Sequence, residues 1–172
     1  MVRMAADPLT STFTRRSMFL TLPLVLRAVA VIRVEVFVAT ECPISNRYVP
    51  ELNRIAGLYL PQGVEMIAYF PEHGLTQDRL NQWQREFVPV FPVQLDVFAK
   101  HARKAGATLT PEVAVSHAGK LVYRGRIDDR YVSWGKSRPE PSRRDLVETL
   151  DVLIGGKPIS PRFTKTWGCY IE

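Results

Sequence analysis

The sequence predicts an α/β fold with a central mixed β-sheet flanked by helices. Apolar strand-like runs alternate with helical patterns through residues 31–105, and a hairpin signal and one more helical pattern follow them. The length of 172 residues is sufficient for one domain with a sizeable core. A hydrophobic content of 46% and a charged content of 23% are ordinary for a globular protein.

The first part of the chain carries six predicted elements. They are a strand at 31–39, a helix at 47–60, a strand at 64–70, a helix at 76–87, a short extended piece ending at Asp96 and a helix at 97–105. Asn46 can cap the first helix, and Pro50 should kink it or end its first turn. Thr76 can cap the second helix, and Gly106 ends the third. One apolar stripe runs along the first helix: Tyr48, Leu52, Ile55 and Tyr59.

The second part predicts a hairpin and a last helix. Strands at 112–116 and 121–126 are joined by a short turn that contains Gly119. A loop rich in proline and charge covers 133–142, and Ser142 is expected to cap the last helix, which Gly155-Gly156 ends. We therefore divide the chain into a possible export leader at 1–30, one domain at 31–156 and a C-terminal tail at 157–172 without helical pattern.

The composition excludes several classes of function. The net charge of +6, without a basic helix or an aromatic platform, gives no reason to expect a nucleic-acid partner. Two cysteines cannot form a disulfide framework or a four-cysteine zinc site. Arg27, Arg33 and Glu35 interrupt the N-terminal apolar run well before the ~20 residues that a membrane span needs. We expect no stable membrane insertion and no organic cofactor.

The N-terminus indicates export. Residues 14–20, with Arg15-Arg16, are similar to a twin-arginine signal; a short apolar stretch follows at 18–26, and Ala28-Val29-Ala30 is similar to a cleavage site. The alternative is a disordered start that leads into the first strand. The leader predicts a periplasmic or secreted protein, and the alternative a cytoplasmic one.

Cys42 is the most informative residue. It follows the first predicted strand and precedes the first helix, so it lies where the positive end of the helix dipole favours a thiolate. Cys42 is thus a candidate nucleophile. The alternative is a small buried hydrophobic residue, as most free cysteines are. Ser45, three positions later, is more often a helix-capping residue than a catalytic one.

Several separated motifs resemble one protein family. Cys42 is followed by Pro50 eight positions later, as in the thioredoxin superfamily, and Thr110-Pro111 opens a strand as that superfamily's cis-proline does. Four segments, 42–48, 106–112, 123–131 and 168–171, resemble a bacterial branch of the thioredoxin-like redoxin (AhpC/TSA-like) family with a Cys-Pro-Ile-Ser-Asn motif. The resemblance implies a thioredoxin fold with a redoxin-type insertion and a cis Thr110–Pro111 bond.

The resemblance also implies a function. Cys42 would exchange disulfides with a thiol- or disulfide-containing protein or a small thiol. Ser45 occupies the position of the second redox cysteine, which leaves Cys169 as the internal candidate for a resolving thiol, or else an unpaired tail cysteine. Pro111 would shape the groove beside Cys42, and the Thr110 backbone would pair with an extended thiol substrate. Arg126 would stabilise the thiolate, although a solvated strand face suits it equally well.

Two alternatives follow from the same resemblance. A peroxiredoxin-type peroxidase would oxidise Cys42 to sulfenic acid and resolve it with Cys169. Its signature is incomplete here, because Ala39 and Glu35 stand where a threonine and a proline are expected. A copper-handling thioredoxin-like protein would bind its metal through Cys42 and His73, with Cys169 as a further candidate ligand, although such proteins usually have a second nearby cysteine.

Overall fold

A computed structural model describes residues 30–172. The predicted export leader, apart from its last position, therefore lies outside the described residues. Four helices are found there, α1 (Pro43–Tyr59), α2 (Gln77–Phe87), α3 (Lys100–Ala105) and α4 (Asp145–Ile154). The strands within the same range are β1 (Ile32–Phe37), β2 (Val64–Phe70), β3 (Val93–Leu95), β4 (Leu109–Thr110), β5 (Glu112–His117), β6 (Lys120–Gly125), β7 (Tyr131–Ser133), β8 (Lys136–Ser137), β9 (Arg162–Phe163) and β10 (Cys169–Tyr170).

The central sheet is mixed, as predicted. Six of its strands follow the order β3-β2-β1-β5-β6-β9. Strands β1, β2 and β3 run parallel, β5 is antiparallel to β1 and to β6, and β9 is parallel to β6. Ala118 and Gly119 form the predicted turn between β5 and β6, and both have positive φ. The carboxyl ends of β1 and β2 thus lie side by side, and the start of β5 lies next to the end of β1.

Helices pack on both faces of this sheet. Val34 and Val36 of β1 belong to a large core that includes residues of α1, α2 and α4, and Phe37 belongs to a smaller core on the opposite face with α3. The alternation of these side chains follows from the two-residue period of a strand. The predicted apolar stripe of α1 is buried: Tyr48, Leu52, Ile55 and Tyr59. Within residues 30–172, no helix is long and apolar enough to cross a membrane.

The first helix begins four residues earlier than predicted. Cys42 is the N-cap and Pro43 is the first helical residue, where the fixed φ of proline and its missing N–H suit the helix start. The prediction that Asn46 caps this helix is therefore wrong. Pro50 lies inside α1, and the helix continues through it to Tyr59.

Two further local predictions differ from the structure. The helix predicted at 97–105 is broken, because Phe98 and Ala99 have positive φ and α3 starts only at Lys100. Asp96 accepts hydrogen bonds from the backbone N–H groups of His101 and Ala102, which satisfies the first turn of α3. Thr76 caps α2 as predicted, since its side chain accepts from the Arg79 N–H.

Ser142 does not cap the last helix. Its backbone N–H donates to Asp129 Oδ1 at 2.7 Å, its hydroxyl donates to Asp129 Oδ2, and α4 starts at Asp145. Asp129 also accepts from the Arg143 N–H at 2.9 Å and is ion-paired with Arg138. The carboxylate of Asp129 therefore holds together the loop that the sequence predicts at 133–142.

The C-terminal tail is paired with the rest of the domain. Strand β9 extends the central sheet beside β6, and β10 forms an antiparallel pair with β4. Each of these tail strands has only two residues, too few for a period to be visible in the sequence. The pairing of β10 brings the end of the chain to the turn that contains Cys42.

Candidate active site

Cys42 lies at the end of the β1 loop and at the start of α1. Its backbone is extended, with φ −82° and ψ 111°, and its carbonyl accepts from the Asn46 N–H at 3.0 Å. The side chain is 1% exposed. A thiol at this end of a 17-residue helix experiences the positive end of the helix dipole, which favours the thiolate.

The loop before Cys42 is fixed by side chains that lie outside it. Glu72 follows β2, and its carboxylate accepts from the Thr40 backbone N–H at 2.7 Å and from the Thr40 hydroxyl at 2.9 Å. Asn46 donates to the Thr40 carbonyl at 2.9 Å and accepts from Trp83 Nε1 at 2.8 Å. The position of Cys42 therefore depends on β2 and α2 as well as on α1.

Glu72 is a site residue that the sequence prediction missed. The available signal was its place directly after β2, because polar groups at the carboxyl ends of parallel strands gather at one edge of a sheet. His73 does line the Cys42 pocket together with Glu72.

The Thr110–Pro111 peptide bond is cis, as expected. Cys42 Sγ donates to the Thr110 carbonyl oxygen at 3.2 Å. Thr110 is 1% exposed and belongs to β4. The structure thus brings three of the predicted site residues, Cys42, Thr110 and Pro111, to one place.

Cys169 reaches the same place from the tail. It pairs with Thr110 in the β10–β4 ladder, and the Thr110 hydroxyl donates to its carbonyl at 3.4 Å. The Ile171 N–H donates to the Thr108 carbonyl at 3.0 Å, and the Thr166 hydroxyl donates to the Pro111 carbonyl at 3.0 Å. Both cysteines are free thiols in this structure and line one pocket of about 300 Å³.

The two thiols line the same pocket, and their pKa values shift in opposite directions. Burial raises the pKa of Cys42, but hydrogen bonds from Cys169 and Ser45 outweigh burial and hold that pKa below its ordinary value. Burial raises the pKa of Cys169, and the adjacent Cys42 raises it further, to about 12. Of the two thiols, Cys42 therefore ionises first, while Cys169 stays protonated.

Ser45 is buried in the first turn of α1. It is 0% exposed, and its Oγ accepts from the Ala39 N–H at 3.4 Å. Its hydroxyl hydrogen is then available for the Cys42 sulfur, which lowers the pKa of Cys42. Ser45 therefore holds the loop before Cys42 and also favours the thiolate form of Cys42.

Arg126 is not brought to Cys42. Its Nε donates to Asp145 Oδ2 at 2.7 Å, and it is not among the residues that line the Cys42 pocket. Asp145 is 1% exposed, and a carboxylate buried so deeply requires a cationic partner. The predicted contact between Arg126 and the thiolate is therefore wrong, because the Arg126 guanidinium pairs with the carboxylate of Asp145, the first residue of α4.

The metal alternative gains no support from the described residues. Among residues 30–172, no group of three or more His, Cys, Asp and Glu side chains is arranged to hold a metal ion. Cys42, His73 and Cys169 line the same pocket, but within residues 30–172 they are not arranged as a set of metal ligands.

A second network lies behind the site. Tyr48 of α1 donates a short hydrogen bond to Asp128 Oδ1, and its ring packs against Tyr131. Asp128 is 2% exposed, and its Oδ2 has no hydrogen-bond partner among the described residues. Burial raises the pKa of the Asp128 carboxyl, and hydrogen bonds from Tyr48 and from the Arg130 N–H offset part of that rise. Asp128 and Asp129 thus anchor α1 and the 133–142 loop, respectively.

Comparison with known proteins confirms the fold. No protein-family model and no curated protein matches the chain. Among solved structures, an uncharacterized conserved protein from Geobacillus kaustophilus is 24% identical with a TM-score of 0.71, covering 84% of this chain and 78% of its own. A thioredoxin-like protein from Porphyromonas gingivalis is 19% identical with a TM-score of 0.55, over 73% and 76% of the two chains.

A third similar structure is described as a thiol:disulfide interchange protein, provisionally DsbE, from Chlorobium tepidum. It is 16% identical with a TM-score of 0.56, and the match covers 73% of this chain and 81% of that protein. Likeness at these identities shows the fold alone. The protein thus has the predicted thioredoxin fold, with two thiols meeting beside a cis-proline. Membership of the redoxin branch stays a prediction.

Proposed function

We propose that this protein is a thiol–disulfide oxidoreductase in which Cys42 is the attacking thiolate and Cys169 the resolving thiol. The observation that carries the proposal is that the two cysteines meet at Thr110: Cys42 Sγ donates to the Thr110 carbonyl, and Cys169 pairs with Thr110 in the β10–β4 ladder. The pKa of Cys42 is lowered there and that of Cys169 is raised. Thiol exchange requires one ionised thiol and a second thiol that stays protonated until it is needed. The similar structure provisionally described as DsbE is in keeping with this class of reaction.

The reaction has two exchange steps. The Cys42 thiolate attacks one sulfur of a partner disulfide, so that a mixed disulfide forms and the other partner sulfur leaves as a thiolate that takes up a proton. Cys169 then loses its proton and attacks the Cys42 sulfur. A Cys42–Cys169 disulfide forms, the second partner thiol is released, and the partner has gained two electrons and two protons.

The remaining site residues support this chemistry. Ser45 and the start of α1 stabilise the Cys42 thiolate, and the Thr110 carbonyl accepts from the sulfur when it is protonated. The Pro111 carbonyl accepts from the Thr166 hydroxyl and so helps to hold the tail that carries Cys169. We propose a protein partner that carries a thiol or a disulfide, and a compartment outside the cytoplasm, because residues 14–30 resemble an export signal and disulfide chemistry persists in oxidising compartments.

A peroxidase is supported less well. The peroxiredoxin signature assigns an arginine to the cysteine thiolate, and the described lining of the Cys42 pocket contains no arginine. Glu41, Glu72 and His73 line it instead. We therefore do not put forward peroxide reduction as a second function.

The proposal is tested by trapping the intermediates. The wild-type chain is treated with a small aromatic disulfide and digested without reduction, and mass spectrometry identifies the bonds. We expect a Cys42–Cys169 disulfide in the wild type, a stable adduct on Cys42 in Cys169→Ser, and no adduct on Cys169 in Cys42→Ser. An adduct that forms equally well on Cys169 alone would contradict the assignment of the nucleophile.

A further inference from the structure

The C-terminal tail occupies the position from which a partner sulfur has to approach Cys42. Cys42 is 1% exposed, and Cys169 contacts it while pairing with Thr110. The tail is held at both ends of this contact, by Thr166 on Pro111 and by Ile171 on Thr108. A partner cysteine can reach Cys42 only after this segment has moved.

We propose that residues 166–171 are a tethered stand-in for the partner polypeptide. The partner displaces β10, pairs with β4 in the same register, and presents its own cysteine where Cys169 lies. The inference rests on the proposed function, and it adds the sequence features that the partner must share with the tail: a glycine directly before the cysteine and an aliphatic residue two positions after it.

The glycine requirement follows from a close approach of two backbones. A Cβ atom added at Gly168 would lie 1.9 Å from the Thr110 carbonyl oxygen and 2.6 Å from its carbon. Both atoms belong to the backbone of β4 and cannot rotate away. A strand in this register therefore accepts glycine alone at the position before its cysteine.

The aliphatic requirement follows from the position of Ile171. Its side chain packs against a buried apolar cluster that includes Phe37, Ala105 and Ala107, whereas Tyr170 is 79% exposed. Alternate residues of an added strand face the protein and solvent in turn. The protein therefore does not discriminate between residues at the position after the cysteine. The next residue packs against the apolar cluster and has to be aliphatic. The resulting pattern is glycine, cysteine, any residue, aliphatic residue.

The bonds, protons and electrons of the exchange balance when the partner takes the place of the tail. The partner's cysteine, in a disulfide with a second partner sulfur, replaces Cys169; Cys42 attacks it, and the second sulfur leaves and is protonated. The partner strand then detaches from β4 while its cysteine stays bonded to Cys42, and the tail pairs with β4 again. Cys169 loses its proton and attacks Cys42, forming the internal disulfide and releasing the partner's cysteine, which takes up a proton as a thiol. An external dithiol restores both free cysteines and is oxidised by the same two electrons.

Tail displacement is tested by the accessibility of Cys42 in the full chain. Alkylation by iodoacetamide is followed in Cys169→Ser and in Gly168→Ala/Cys169→Ser, so that Cys42 is the thiol that reacts. The added methyl group should expel β10 and accelerate alkylation about tenfold or more. Gly57→Ala/Cys169→Ser is the matched control, because a Cβ at Gly57 meets nothing within 4 Å. Equal rates in all three proteins would overturn the proposal.

Recognition is tested on the opened protein. The peptide Thr-Trp-Gly-Ser-Tyr-Ile, in which serine replaces the cysteine, is added to Gly168→Ala/Cys169→Ser after circular dichroism has shown a native fold. It should slow alkylation of Cys42 several-fold, whereas the same peptide with alanine for glycine should not. Equal protection by both peptides, or by neither, would overturn the recognition pattern.

The two proposals fail in different ways. If the wild-type chain exchanges with a small aromatic disulfide through Cys42 but the peptides do not differ, only the recognition pattern is wrong. If Cys42 exchanges with the aromatic disulfide neither in the wild type nor in the opened variant Gly168→Ala/Cys169→Ser, the proposed function itself is wrong.

Discussion

Cys42 and Cys169 meet at Thr110, although the first lies at the start of α1 and the second in the C-terminal tail: Cys42 Sγ donates to the Thr110 carbonyl, and Cys169 pairs with Thr110 in the β10–β4 ladder. Cys169 is the largest of the influences that lower the pKa of Cys42, while Cys42 contributes to raising the pKa of Cys169 to about 12. The acidity of the nucleophile is therefore a tertiary property, which depends on the pairing of β10 with β4 as well as on the helix dipole.

Ser45→Ala should raise the pKa of Cys42. The substitution removes a hydroxyl that hydrogen-bonds the sulfur and lowers its pKa. A smaller fraction of Cys42 is then ionised at neutral pH, and the midpoint of its alkylation rate moves to higher pH. The measurement is the pH profile of alkylation in a Cys169→Ser background. Ser160→Ala, at an exposed serine, serves as the control and should leave the midpoint unchanged.

Tyr48→Phe should destabilise the protein by about 2 kcal/mol. The phenol donates to Asp128, whose other carboxylate oxygen already has no partner among the described residues. Without the phenol, a buried carboxyl would lose one of its hydrogen bonds. Urea denaturation of the variant measures the loss, with Tyr170→Phe as the control because that side chain is 79% exposed. A similar loss in both variants would mean that the Asp128 contact is not the cause.

Asp129 should make stability depend on pH in the acid range. Burial raises the pKa of this carboxyl, but hydrogen bonds from Ser142 and Arg143 and the charge of Arg138 lower it to about 2. The folded state therefore binds this proton less tightly than the unfolded chain does, so the stabilisation is complete above a pH of about 4 and is lost as the pH falls toward 2.

The corresponding variant is Asp129→Asn. It should lose about 1–3 kcal/mol of unfolding free energy at neutral pH, and its stability should fall less steeply between pH 4 and 2 than that of the wild type. Urea denaturation over a pH series measures both effects. Parallel slopes for the two proteins would show that other carboxylates cause the acid sensitivity.

Gly125→Ala should destabilise the protein by about 3 kcal/mol. Gly125 ends β6 with φ +146°, and a Cβ there would lie 2.4 Å from the Thr164 carbonyl oxygen and 2.2 Å from its Oγ1. The substitution should therefore separate β9 from β6. Hydrogen exchange of the β6 and β9 amides together with thermal unfolding would detect the change. Gly57→Ala again provides the control, and equal exchange in the two variants would contradict the packing argument.

The Cys42 turn was predictable because its signals are local. A strand of apolar residues, a cysteine and a proline at the first helical position follow one another within the segment that forms the site. Pro111 was recognised through the resemblance to the thioredoxin superfamily, in which a cis-proline likewise opens a strand. The predicted start of α1 was wrong because it followed the preference of asparagine for N-cap positions, at Asn46. Proline prefers the first helical position, which Pro43 occupies in the structure.

Other parts of the site required tertiary information. The tail strand of Cys169 has two residues and no period, so nothing in the sequence indicated that it pairs with Thr110. The alternation of β6 indicated which face carries Arg126 but not that the buried Asp145 lies opposite it. Glu72 contacts Thr40 across two neighbouring strand ends, and such contacts become visible only when the order of strands is known.

The edge strands of the central sheet are short, which limits aggregation through intermolecular strand pairing. One margin is β3 with three residues, and the other is β9 with two, so each presents few unpaired backbone groups to another molecule. Removing β9 would uncover β6, a strand of six residues. A tail that detached as a whole would thus expose a template for intermolecular strand pairing, whereas release of β10 alone leaves that margin covered.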